Sequence, residues 1–114
     1  MGDIDRDMAR ASDLVIASFV YEKATGTEGV YGIGRGLPVL TINQNGQESK
    51  VRGIRVVYDE ENGYTIEIYL IVDFGVNIPE TAWNVQKNVH DGLKSEYGIE
   101  PENINIHVQG VQID

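Results

Sequence analysis

The sequence holds few residues of the types that enzymes use as nucleophiles, general acids or metal ligands. It has no cysteine, which excludes disulfides, cysteine nucleophiles and cysteine zinc sites. Its two histidines, His90 and His107, leave little material for a histidine metal site, and no serine falls in the strand-to-helix turn that presents a nucleophile. Asp59, Glu60 and Glu61 lie in a polar turn, where solvation explains them better than acid–base catalysis or calcium binding. We therefore expect no catalytic residues, no metal and no cofactor.

A glycine-rich stretch over residues 26–36 is the one motif that invites a ligand-binding interpretation. Phosphate-binding loops need a strand before the glycines and a helix opening after them. Here a helix precedes the glycines and the strand-like segment Leu37–Ile42 follows. We interpret the stretch as a flexible connection between a helix and a sheet, and a small-ligand site at Gly29 to Gly36 stays open as the alternative.

Length and charge narrow the function classes. The chain has 114 residues, enough for one domain, and 18 acidic against 9 basic residues give a formal net charge of −9. Nucleic acids and anionic lipid surfaces are bound through Lys and Arg, so this charge argues against both partners. No apolar run approaches the roughly 18 residues that span a bilayer, and the charged start is unlike a secretory signal. We expect a cytoplasmic protein that does not insert into the membrane.

The N-terminal quarter of the chain predicts one helix. Residues 1–11 have little periodicity, and we expect them to be a flexible N-terminal lead-in to a single domain over residues 12–114. Ser12 or Asp13 can accept the free first-turn N–H groups of a helix that runs to about Ala24.

This helix is apolar on more than one side. Ile16, Phe19 and Val20 widen the apolar stripe beyond what a surface helix needs. Such a helix either packs within its own domain, which we favour, or associates with a second copy of the chain.

The middle of the chain predicts a β-hairpin. Residues 54–59 and 64–74 alternate between apolar and polar side chains on either side of a turn at Asn62-Gly63. Period-two alternation buries one face of the hairpin and leaves the other face for solvent or a partner.

A second helix and a last strand complete the predicted fold. Pro79 suits a first helical turn, Gly98 suits a left-handed C-cap, and residues 103–113 alternate as a strand. The strands on either side of the helix should run parallel because a crossover helix joins them, and we expect the crossover to be right-handed. We predict an α+β, two-layer domain, in which a small mixed sheet (hairpin plus C-terminal strand) is covered on one face by two helices.

The uncovered sheet face is the main candidate for an interaction surface, because it mixes apolar and polar side chains. It carries Arg55, Val57, Glu67, Tyr69, Ile71, Asn105, His107 and Gln109. Trp83 falls off the apolar stripe of the second helix and is a candidate anchor, with a place at the core edge as the alternative. We expect this face, Trp83 or the first helix to bind a partner, whereas a merely solvated face is the other interpretation.

Several segments share spacing and residue types with a known family. They are Val76-Asn77-Ile78-Pro79-Glu80, Asn84-Val85-Gln86-Lys87-Asn88-Val89, the strand from Asn103 to Val111, Glu28-Gly29-Val30 and Val72-Asp73-Phe74-Gly75. From about Leu14 to Val111 the chain resembles the alkaline shock protein family of envelope stress response proteins in Gram-positive bacteria.

The resemblance implies a noncatalytic cytoplasmic protein of cell-envelope homeostasis. Such a protein acts as a self-associating or partner-binding scaffold, and in some relatives the partner is a membrane-anchored protein that holds them beneath the membrane. The alternative that we keep is a small-molecule-sensing or regulatory binding domain that controls an enzyme of lipid or cell-wall metabolism.

Overall fold

The computed structural model describes the backbone of residues 2–34 and 53–113, and the side chains of residues 14–34 and 53–113. The elements in chain order are α1 (Gly2–Thr25), β1 (Val30–Ile33), β2 (Ile54–Asp59), β3 (Gly63–Asp73), α2 (Ile78–Tyr97) and β4 (Asn103–Gln112). The predicted α+β class is confirmed. The predicted strand over residues 37–42 lies outside the described residues.

The sheet is built around β3. β2 pairs with the first part of β3 and β1 with the last part, both antiparallel and along the same edge. β4 runs parallel to β3 along the opposite edge, as the crossover through α2 predicted. The sheet is therefore mixed, and the hairpin of β2 and β3 turns at Asn62 and Gly63 as expected.

Strand β1 corrects our interpretation of the glycine-rich stretch as a mere connection. The Gly34 N–H donates to the Tyr69 carbonyl at 2.7 Å, and the Tyr69 N–H donates to the Gly53 carbonyl at 2.9 Å. Gly34, which directly follows β1, and Gly53, which directly precedes β2, thus bond to the same residue of β3. A four-residue strand with a glycine inside it carries too little alternation to be recognised from sequence.

The core lies between the helices and one face of the sheet. Its buried members are Ile16, Ala17, Val20 and Ala24 of α1, Ile54, Ile66, Ile68, Leu70 and Val72 of the sheet, and Val85, Val89 and Leu93 of α2. The even-numbered side chains of β3 point into this core, so the opposite, odd-numbered face carries the predicted interaction residues.

Helix α1 begins earlier than the predicted cap at Ser12 or Asp13. It starts at Gly2, so residues 2–11 are helical where we predicted a flexible lead-in. These residues include two alanines and no proline, so nothing in them stops a helix from extending toward the N-terminus. We did not recognise this part of the helix from the sequence because residues 2–11 do not form a single apolar stripe.

Helix α2 has the predicted ends. The Asn77 side chain accepts a hydrogen bond from the Glu80 N–H at 3.0 Å, which caps the first turn just before Pro79. Gly98 adopts the left-handed conformation at φ 66°, and the Ile99 N–H returns to the Leu93 carbonyl at 3.2 Å. This is the glycine C-cap that the sequence indicated.

The turn between β2 and β3 carries a pH-sensitive carboxylate. Asp59 Oδ1 accepts the Glu61 N–H at 2.8 Å, and Asp59 Oδ2 accepts the Asn62 amide at 3.0 Å. The Glu61 backbone bond first, and the Asn62 side chain second, lower the pKa of Asp59 below its ordinary value. The stability that this adds is present above the ordinary pKa and is lost as the pH falls through the lowered one.

We therefore expect Asn62→Ala to raise the Asp59 pKa toward its ordinary value without reaching it, since the Glu61 bond remains. An NMR titration of the side-chain carboxyls measures this. Glu100, whose pKa is lowered by its hydrogen bond and ion pair with Lys94, should not change and is the internal control. An unchanged Asp59 pKa would contradict the turn geometry.

Candidate interaction surface

The odd-numbered sheet face, which we name the open face, brings predicted residues of three strands side by side. Arg55 of β2 lies opposite Glu67 of β3, and Glu67 lies opposite Asn105 of β4. One step along, Tyr69 lies opposite His107. Strand pairing thus sets these side chains in a row across the sheet.

Glu67 connects the three strands through its two carboxylate oxygens. Oε2 lies 3.5 Å from Arg55 Nη1, and Oε1 lies 3.2 Å from His107 Nε2. Arg55 and His107 remain about half exposed, and an exposed pair of this kind stabilises a fold by at most about 1 kcal/mol. The contacts therefore orient polar groups on the surface more than they stabilise the domain.

Tyr69 lies on this face but is not exposed as we expected. Its ring stacks on His107 with 4.6 Å between centroids and 16° between planes, and only 9% of the residue is accessible. Ile71 is half-buried, so Val57 carries the exposed apolar surface among the predicted residues of the open face. Alternation predicts which face a side chain takes, but it does not predict how far neighbours cover it.

Gln109 occupies an irregular position in β4. The register passes from Leu70 opposite Val108 to Ile71 opposite Gly110, which leaves Gln109 as the extra residue of a bulge. A Cβ at Gly34 would overlap the Gln109 side-chain amide, so Gln109 lies directly against the end of β1. Asn105 and Gln109 are both exposed.

The candidates on α1 belong to the core. Ile16 and Val20 are fully buried, which removes them from any interaction surface. Phe19 is half-buried and packs edge-on against Tyr97 at 5.2 Å and 85°. The ring also lies 3.0 Å from the place of a Cβ at Gly92, so the missing side chain there allows the two helices to approach. Packing within the domain, the interpretation that we favoured, accounts for all three.

Trp83 lies on the surface of α2. It is 58% exposed, and the Lys87 ammonium sits 5.4 Å from its ring centroid. A tryptophan so exposed is outside the core, and an exposed aromatic ring is a common anchor for a partner.

Sequence reasoning missed an apolar surface where β4 ends and α2 begins. The exposed apolar side chains there are Phe74, Ile78, Val108, Val111 and Ile113. Ile78 lies in the exposed first turn of α2. A signal for this surface was present, because no residue from Asn103 to Ile113 is an aspartate, glutamate, lysine or arginine.

The described residues offer little for small-molecule chemistry. Among them, no three histidine, aspartate or glutamate side chains are placed to hold a metal ion. An open depression of about 460 Å³ between the helices is lined by Glu22, Lys23, Gly26, Asn88, Asp91 and Gly92. In the same part of the chain, no helix is both long and apolar enough to cross a membrane.

Comparison with known proteins assigns the chain to a family. The model of the alkaline shock protein 23 family, which is described as having a cell envelope-related function, matches residues 3–113, nearly the whole described fold. The chain belongs to this alkaline shock protein family. The resemblance drawn from the sequence motifs is thereby confirmed, and the function of the family is related to the cell envelope.

Relatives of this alkaline shock family protein occur in Gram-positive bacteria. The uncharacterized protein YqhY of Bacillus subtilis is 31% identical over 91 residues, covering 80% of this chain and 67% of YqhY. The uncharacterized protein Spy1614 of Streptococcus pyogenes serotype M6 is 30% identical over 104 residues, covering 90% of this chain and 85% of Spy1614. No solved structure matches the chain significantly.

Proposed function

We propose that this alkaline shock family protein is a noncatalytic cytoplasmic scaffold of cell-envelope homeostasis that binds a protein partner through the open face. The observation that carries the proposal is the row of Arg55, Glu67 and His107 across three strands. It places oriented polar groups beside exposed Val57 on a sheet face that neither helix covers. A membrane-anchored partner would bring the protein to the membrane without insertion.

Pre-orientation of the side chains supports the proposal. A side chain that is already held in one place loses less entropy when a partner binds than a freely rotating one. Glu67 is held from both sides, and the His107 ring is held by both Glu67 and Tyr69. Such a surface of charged, amide and apolar groups suits a polar, reversible interface better than a permanent hydrophobic one.

The test compares charge changes on and away from the open face. In native lysates we expect the double variant Arg55→Glu/Val57→Lys to capture its specific protein partner at least about tenfold less than wild type, since central interface residues often contribute more than 1 kcal/mol. Quantitative mass spectrometry measures the captured proteins. Leu14→Lys, on an exposed part of α1, is the matched control and should capture as wild type does.

Equal capture by wild type and by the open-face variant would contradict partner binding at this face. A metabolite that raises the melting temperature of a monomeric protein would instead favour the regulatory binding domain. The depression between the helices, which contains Asn88, is the place to examine in that case.

A further inference from the structure

The outer edge of β4 is the edge that points away from β3. Two hydrogen bonds show which backbone N–H and C=O groups lie on it. The Ile104 carbonyl accepts the Gln86 side-chain amide at 2.8 Å, so the backbone groups of Ile104 point away from β3. The Gln112 carbonyl accepts the Phe74 N–H at 3.2 Å, so Gln112 faces β3. Alternation along a strand would give both residues the same direction, and the bulge at Gln109 accounts for the reversal between them.

Alternation on each side of the bulge then shows which residues after Ile104 have backbone N–H and C=O groups that point away from β3. They are Ile106 and Val108 before the bulge and Val111 after it, and Ile113, which directly follows β4, continues the same alternation. Val108 is 37% exposed, Val111 40% and Ile113 71%. Within the described ranges 2–34 and 53–113, no strand pairs with this edge.

This edge lacks the usual protection against pairing. Exposed edge strands of soluble proteins commonly carry charged residues, especially lysine, or proline, which discourage a second strand from adding. Residues 103–113 contain no aspartate, glutamate, lysine, arginine or proline. In a chain of net charge −9, a run of this length without acidic residues is a place where two copies can meet without opposing like charges.

The outward positions are also self-complementary. Their spacing along β4 is two, three and two residues (106 to 108, 108 to 111, 111 to 113), which is the same in either direction. In an antiparallel second copy, Val108 therefore lies opposite Val111, and Ile106 lies opposite Ile113. Every outward N–H then faces a carbonyl, and the two bulges lie on the twofold axis.

We propose that β4 is the self-association edge of this protein and that its occupant is β4 of a second copy, paired antiparallel around Gln109 and Gly110. The two sheets then form one continuous sheet through the dimer. The inference rests on the scaffold role in the proposed function and specifies one of its partners. It uses the edge of the sheet, so the open face stays available for a different protein.

Charge reversal within one chain tests the register. In Val108→Lys/Val111→Lys, each lysine lies opposite a lysine of the other copy. In Val108→Lys/Val111→Glu, each lysine lies opposite a glutamate. We expect sedimentation velocity to show a concentration-dependent dimer for wild type, a dissociation constant about tenfold or more higher for the double lysine variant, and one within about threefold of wild type for the lysine–glutamate variant.

The control Val15→Lys introduces the same charge at an exposed valine of α1 and should dimerise as wild type does. A wild type that stays monomeric at all concentrations overturns the inference. So does equal weakening of the two β4 variants, or a dimer lost in Val15→Lys and kept in the double lysine variant. Circular dichroism and thermal unfolding show whether each variant is folded.

Amide exchange on unmodified protein tests the same pairing without mutation. The N–H groups of Val108 and Val111 should exchange more slowly as concentration rises. Those of Asn105 and His107, which face β3, should not change. Protection of the outward amides only when another protein is added would assign the edge to that protein and overturn the second-copy inference. If the dimer survives in the double lysine variant while Arg55→Glu/Val57→Lys still loses its partner, the edge inference fails and the proposed function stands.

Discussion

Replacing Gly53 by alanine should cost about 3 kcal/mol or more of unfolding free energy, one of the two largest losses that we expect in this fold. Gly53 has φ +79°, where an L side chain is strained. A Cβ there would also overlap the Gly34 carbonyl oxygen and the Ile33 side chain. Relief of this overlap requires a backbone shift that would weaken the bond from the Tyr69 N–H to the Gly53 carbonyl.

Gly75→Ala separates the two causes of the loss at Gly53, which are the strain at positive φ and the overlap of the new Cβ with its neighbours. Gly75 has a similar φ of +86°, but a Cβ there meets no heavy atom within 4 Å. The Gly75→Ala variant should lose only about 1–2 kcal/mol of unfolding free energy, which is the cost of an L side chain in the left-handed conformation. Urea unfolding of both variants measures the difference. Equal losses would mean that Gly34 and Gly53 do not approach each other at Tyr69.

Leu93→Ala should destabilise the domain by about 3 kcal/mol and lower its melting temperature by on the order of 10 °C. Leu93 is fully buried in the last turns of α2, so truncation loses apolar burial and leaves a cavity that a close-packed core fills only in part. Its carbonyl also accepts the Ile99 N–H, which limits how far the backbone can move to fill the space.

Leu14→Ala is the matched control, because it makes the same substitution at a leucine that is half exposed on α1. It should cost no more than about 0.5 kcal/mol. Denaturant unfolding with an unchanged m-value would show that both variants keep the same folded and unfolded states. Similar losses in the two variants would contradict the place of Leu93 in the core.

The sequence predicted those elements whose conformation depends on their own turn residues, cap residues and alternation. The hairpin follows from alternation around Asn62-Gly63, and the ends of α2 follow from Pro79 and Gly98. The parallel direction of β3 and β4 follows from the crossover helix that joins them. Each of these features depends on a few neighbouring residues or on a general rule of chain connection.

The features that sequence reasoning missed depend on distant contacts. β1 is a strand because β3 offers it an edge, and the spacing of its own four residues does not show this. Tyr69 is buried among neighbouring side chains of its own face, the stacked His107 ring among them, although its place in the alternation was predicted correctly. The reversal at Gln109, which sets the outward edge of β4, needs the register against β3.

The meeting of Gly34 and Gly53 at Tyr69 makes one residue of β3 common to the ends of two strands. The Tyr69 carbonyl holds Gly34, just after β1, and the Tyr69 N–H holds Gly53, just before β2. Proline at position 69 has no N–H, so it would remove the bond to Gly53 and disturb the β3 backbone that also holds Gly34. One backbone position thus couples the ends of two strands that are separate in the chain.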